Sequence, residues 1–205
     1  MTGKRPRGRP VEAALATRLI AAAIGLIEQK RSFDAISVEA VCAAAGASKA
    51  SFYRRWKDRD AFVVAMMDSL REPPLPAGPT ASLEDDLVAM IEGMFGTDMR
   101  RTRIVHAALV MEGRKNRAMI GAYLRDVVRP RREAVTARLR KAAADGEIAA
   151  DSDIAILHEL LTSPVLKFML LTDPDTPVPH DFVPRLVRQI LRGARPGLEH
   201  GSDPD

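Results

Sequence analysis

Gly46-Ala-Ser-Lys-Ala-Ser-Phe-Tyr-Arg-Arg-Trp-Lys-Asp-Arg59 joins a glycine to a short basic segment that carries three aromatic residues. Its glycine suits a tight turn, and the residues after Ser48 suit a short helix. Phe52 and Trp56 stand four residues apart, so they share one helical face and can anchor it in a core. Ser48, Lys49, Ser51, Arg54 and Arg55 lie off that face and are free to point outward. Upstream, Ser37-Val-Glu-Ala-Val-Cys-Ala-Ala-Ala45 reads as another short helix, opened by a serine able to cap it. Two helices of this size around a glycine turn form a helix-turn-helix, with the second helix presented for the major groove of DNA.

On either side of this motif the chain reads as helical. Aromatic residues make up only 4% of its 205 residues, and no alternating Val/Ile/Thr-rich run reads as a strand. Leu15, Leu19, Ala23, Leu26 and Ile27 recur at helical spacing across residues 11–30. A third N-terminal element is expected from Asp58 through Leu70, where the Pro-rich run 73–79 ends it, because proline lacks the helical amide. Beyond it, Ser82 caps a helix with Glu84, Asp85 and Asp86 in its first turn. Further helices are expected at Ile104–Gly113 and Ala118–Ala144, the latter kinked at Pro130 and stopped at Asp145-Gly146. Two more come after it, one from Asp151 or Ser152 through Leu171 and one over Asp181–Gly193. The expected organisation is a basic arm (1–10), a three-helix DNA-binding domain (11–72), a larger helical domain (80–195) and a disordered tail (196–205).

Charge agrees with that division. The net charge is +4, yet residues 1–60 hold 12 Lys and Arg against 6 Asp and Glu, while the remainder is slightly acidic. Only the first part is built to meet a polyanion. Lys and Arg can donate to guanine O6 and N7, and Ser and Tyr to phosphate or base edges. No apolar run reaches the ~20 residues that span a bilayer, and the basic N-terminus lacks a signal peptide's apolar stretch. A cytoplasmic location is expected. One cysteine, Cys42, excludes an internal disulfide and reads as a small buried residue.

The order of elements, the run Ala-Gly-Ala-Ser-Lys-Ala-Ser-Phe-Tyr-Arg-Arg-Trp and the Lys-Asp-Arg-Asp-Ala-Phe immediately after it resemble the tetracycline-repressor (TetR) family. The resemblance covers residues 11–70 closely. The C-terminal half matches more loosely, through Gly146-Glu147-Ile148, Asp151 and the apolar helix around Pro164. It implies an all-α homodimer with an N-terminal helix-turn-helix domain and a larger domain that binds a small effector and dimerises. Such proteins are mostly repressors released from double-stranded operator DNA by an inducer. By similarity, Ser48, Lys49, Ser51, Tyr53, Arg54 and Arg55 carry major-groove contacts, Ala50 permits close approach, and Ser37 and Arg59 hold phosphates. Effector binding would then move the helix from Asp58 to Leu70 and weaken operator binding.

Arg7-Gly8-Arg9-Pro10 resembles the core of an AT-hook, which places Arg7 and Arg9 in a minor groove or against phosphates. Met90, Met94, Met111, Tyr123 and Phe168 are the candidate lining of an apolar effector pocket. For the dimer, Ile154, Leu157, Leu161, Val165 and Phe168 share one broad face, and Phe182, Leu186, Val187 and Ile190 share another. Paired across a two-fold axis they would make a four-helix bundle.

Two other classes of protein fit the sequence less well. An enzyme built on a helical bundle would need an inward Glu-x-x-His pair, a nucleophile with its base, or a phosphate loop, and the sequence has none of them. His106, His158, His180 and His200 lack metal-ligand spacing, so neither catalytic residues nor metal ligands nor a cofactor are expected. A purely architectural DNA protein would not need the large second domain.

Overall fold

The computed structural model describes residues 8–71, 82–96 and 98–195, and among them there is no strand. They form two compact units: Met1–Ser69 with Ile104–Tyr123, and Leu70–Arg103 with Leu124–Asp205. This departs from a simple linear division, because residues 104–123 belong with the N-terminal helices.

In the first unit, α1 (Gly8–Lys30) turns Ala16, Leu19, Ala23 and Ile27 inward at helical spacing. A short 3-10 turn at Phe33–Ala35 then drops Phe33 and Ile36 into the same core. Next come α2 (Val38–Ala45), α3 (Lys49–Tyr53) and α4 (Arg59–Ser69). Phe52, Trp56 and Phe62 form a three-ring cluster with centroids 4.8–5.3 Å apart, contacts worth about 0.5–1.5 kcal/mol each beyond simple burial. Phe52 and Trp56 are therefore the anchor that their spacing implied. Cys42 is buried in this unit, and burial pushes its thiol above the usual range. The unit is completed by the part of α6 (Met99–Gly113) from Ile104 onward and by α7 (Arg117–Tyr123), which packs on α4.

Gly8, Arg9 and Pro10 form the first turn of α1. The last three residues of the expected basic arm, 1–10, are thus helical in backbone. Arg7, the Pro-rich run at 73–79 and the tail 196–205 lie outside the described residues.

The second unit packs α5 (Leu83–Glu92), α8 (Arg129–Ala144), α9 (Ile154–Leu171) and α10 (Phe182–Gly193) around Leu87, Ile91, Leu139, Leu161, Val165 and Val187. Ser82 caps α5 by accepting from the Asp85 amide at 3.1 Å. The helix expected from 118 to 144 is in fact α7, a π-helical turn at Leu124–Val128 and α8. Pro130 explains the break: it has no amide for the carbonyl four residues back, and its ring crowds that carbonyl. Arg131 Nη1 donates to the Val127 carbonyl at 2.9 Å. The start of α9 also differs, since its cap is Asp153, whose carboxylate accepts from the amides of Ala155 and Ile156.

Two buried arginines hold this unit together. Arg138 donates to Asp86 at 2.7 Å and to Glu147 at 2.9 Å. Arg103 serves the loop after α9, donating to Thr172 Oγ1 and to the carbonyls of Asp173, Pro174 and Thr176. Gly96 has φ +65°, and an added Cβ would stand 2.0 Å from the Leu70 carbonyl oxygen, so no other residue fits there.

Of the faces expected to meet a second copy, part is taken up by this unit's own core. Leu157, Leu161, Val165 and Val187 are buried in this unit's own core, with Ile154, Phe168, Phe182, Leu186 and Ile190 partly buried against it. The apolar residues that α9 exposes are others: Ile156 at 56%, Leu160 at 50%, Leu166 and Leu171. α9 is long and apolar enough to cross a bilayer by length and composition, but its inward face is committed to this core.

Candidate nucleic-acid interface

The helix-turn-helix is assembled by local capping. Ser37 Oγ accepts from the Ala40 amide at 3.1 Å and opens α2. Gly46 closes that helix at φ 59°, ψ 43°, the left-handed region in which a side chain is strained. Ser48 Oγ then accepts from the Ser51 amide at 3.1 Å and donates to Ser51 Oγ at 3.0 Å. Two serines assigned to DNA, Ser37 and Ser48, are thus also the caps that orient their helices.

With Phe52 and Trp56 turned inward, α3 and the turn after it expose Ser48, Lys49, Ala50, Tyr53, Arg54 and Arg55, and Ser51 is half-buried. Arg55 lies over the Trp56 ring, 5.5 Å from its centroid, which steadies its guanidinium. The Lys49 ammonium donates to Glu39 of α2. That contact lowers the Glu39 carboxyl and raises the Lys49 ammonium, each chiefly through the hydrogen bond to the other. The result is a polar, mostly cationic strip on a rigid apolar base, able to give donors to phosphates and base edges.

Arg59 is put to a different use. Its Nε donates to the Ile36 carbonyl at 3.0 Å, Nη2 to the Phe33 carbonyl at 2.8 Å and Nη1 to Glu112 at 3.2 Å. Its donors therefore tie the start of α4 to the segment before α2, a structural role beside the phosphate contact that the resemblance implies. The neighbouring Asp60 accepts from Asn116 Nδ2 at 2.9 and 3.0 Å, and Lys115 reaches Asp34 at 3.4 Å. The turn between α6 and α7 is thereby fastened to α4. Nothing in the local sequence announces Glu112 or Asn116 as partners more than 50 residues away.

The residues proposed to line an effector pocket fall in both units. Met90, Met94 and Phe168 pack partly buried against the core of the second unit. Tyr123 belongs to the first unit, where its hydroxyl lies 3.2 Å from His106 Nε2. Met111 is 64% exposed.

A helix-turn-helix whose second helix, α3, is capped, exposed and cationic defines a DNA-binding protein. Residues 19–66 match the model described as bacterial regulatory proteins, tetR family, and residues 77–190 match the tetracyclin repressor-like C-terminal domain. The chain belongs to the TetR family of bacterial transcriptional regulators, a family of regulators and not of enzymes. It is 26% identical over 189 residues to the uncharacterized HTH-type transcriptional regulator YdeS of Bacillus subtilis, covering 92% of this chain and 94% of that one. An uncharacterized HTH-type regulator of Mycobacterium bovis is 29% identical, with 85% of each chain covered. The crystal structure of a TetR-family regulator from Rhodococcus sp. superposes with a TM-score of 0.69 at 16% identity, over 88% of this chain and 98% of that one.

Proposed function

We propose that this protein is a ligand-responsive repressor that binds an inverted-repeat operator as a homodimer and leaves it when a small apolar effector binds. The observation that carries the reading is the cationic strip of α3, held at a fixed angle by the Phe52–Trp56–Phe62 cluster. Lys49, Arg54 and Arg55 are the base-reading candidates, with Ser37, Ser48, Ser51 and Tyr53 fixing register and Ala50 allowing close approach. Arg7 and Arg9 add attraction to the duplex.

A dimer is supported by α9. A helix that is apolar on both sides needs cover on both, and Ile156, Leu160 and Leu171 lie on the side that the chain's own core does not use. Met90, Met94, Phe168 and the buried Tyr123 are the candidates for effector contacts. The bonds of Arg59 and Asp60 to the α6–α7 turn give α4 a route by which a shift in α6 would reach α3. A regulator that works on DNA does so in the cytoplasm.

Selection of bound duplexes from a random pool tests the reading. The expected product is an inverted repeat whose half-site centres are separated by whole turns, about 34–36 Å per turn. Enrichment of direct repeats, or of no motif, would overturn it.

A further inference from the structure

The DNA-facing surface carries a carboxylate that the cationic reading of the motif leaves out. Glu39 stands in the first turn of α2 and Lys49 in the first turn of α3, and the Lys49 ammonium donates to Glu39 Oε1. Their side chains are 64% and 55% exposed, so a phosphate or a base edge can approach either. The pair is neutral as a whole. A lysine so paired has part of its charge compensated, so it gains less from a phosphate and releases less counterion, and the carboxylate itself repels the DNA backbone. An ammonium has three donors, however. With one on Glu39, another remains for guanine O6 or N7, which carry no formal charge and are not repelled.

We propose that Glu39 is a specificity-determining residue: its carboxylate withholds the Lys49 ammonium from phosphates and presents it to a base edge. The inference rests on Lys49 acting as a base-reading residue. On arbitrary DNA the pair contributes little. On the operator Lys49 gains its base contact without leaving Glu39. Discrimination then comes from weakening the wrong complex as much as from strengthening the right one.

Fluorescence anisotropy on Glu39→Gln, Lys49→Ala and the double variant tests this, using two probes. One is a duplex of about 30 base pairs of randomised sequence; the other is the duplex recovered by selection. Each is titrated at several salt concentrations. Gln is nearly isosteric and the site is exposed, so a thermal melt should show the fold unchanged. The result expected is that Glu39→Gln binds the randomised duplex several-fold tighter, with a salt slope steeper by up to ~0.9, the value for one further phosphate contact. Its gain on the selected duplex should be smaller, so the specificity ratio falls. In the Lys49→Ala background Glu39→Gln should leave the slope unchanged. Equal gains on both probes with no change in slope would overturn the proposal, leaving Glu39 as bulk negative charge. Weaker binding to the selected duplex alone would also overturn it, making Glu39 a base reader in its own right. A wild-type protein that binds neither duplex would instead refute the DNA-reading surface on which the inference stands.

Discussion

Helices α3 and α9 solve opposite problems. α3 has five residues, too few to be stable alone, and it is held by Ser48 at its start and by Phe52 and Trp56 beneath it. Its two sides differ in chemistry, so residue type alone tells which side is buried. α9 has 18 residues and is apolar on both sides, with Leu161 and Val165 fully buried and Ile156 and Leu160 half-exposed. Residue type there is silent about which side faces the chain's own core. The contrast shows where hydrophobic patterning identifies a functional face and where it cannot.

The largest expected effects lie on the buried sides. Phe52→Ala should cost ~3–5 kcal/mol by removing the central ring of the aromatic cluster, and Leu161→Ala ~2–5 kcal/mol, both read by denaturant unfolding. Lys49→Ala should leave stability within about 0.5 kcal/mol while costing ~1–3 kcal/mol in operator binding and relaxing preference at one base position per half-site. A Leu161→Ala variant as stable as wild type would undo the assignment of α9's inward face.

Arg59→Ala separates the structural role from the phosphate role first implied for it. Loss of the guanidinium leaves the Phe33 and Ile36 carbonyls and Glu112 without their donor, and should lower stability by ~1–3 kcal/mol. If that role is the whole of it, the salt slope of DNA binding should be unchanged. A flattened slope would add the phosphate contact.

A smaller effect concerns His158, buried on α9. Burial, then the Arg132 guanidinium, hold its imidazole below its ordinary value of 6.5, against the opposing pull of Glu159. The unfolded chain binds a proton that the folded chain refuses, so stability rises with pH in this range. The contribution is present above about 6.5 and is lost as pH falls toward the folded value. Melting temperature should drop on going from about pH 7.5 to 5.5, and less steeply for His158→Gln. Parallel curves for the two proteins would remove His158 as the cause.

Much of this was legible because local chemistry dictates it. Ser37, Ser82 and Gly46 cap or close helices through groups within three or four residues, and the Phe52/Trp56 spacing fixes the buried side of α3. The structural role of Arg59 was not legible, since its acceptors are two backbone carbonyls and a carboxylate 53 residues away. Nor was the pairing of Glu39 with Lys49: an acid in a first turn already has a reason to be there in the helix dipole. The break at 124–128 was anticipated as a kink at Pro130, but its form as a π-helical turn depends on how the freed carbonyls are satisfied.

The most direct test of the central claim joins the two helices in one measurement. Ile156→Glu and Leu160→Glu, combined, place charge on the exposed side of α9 and leave the core untouched. Light scattering and operator titration on this variant should show a monomer that melts like a wild-type subunit, has lost most of its operator affinity and retains weak binding to arbitrary DNA. A variant that remains a dimer and holds the operator as tightly as wild type would contradict the account.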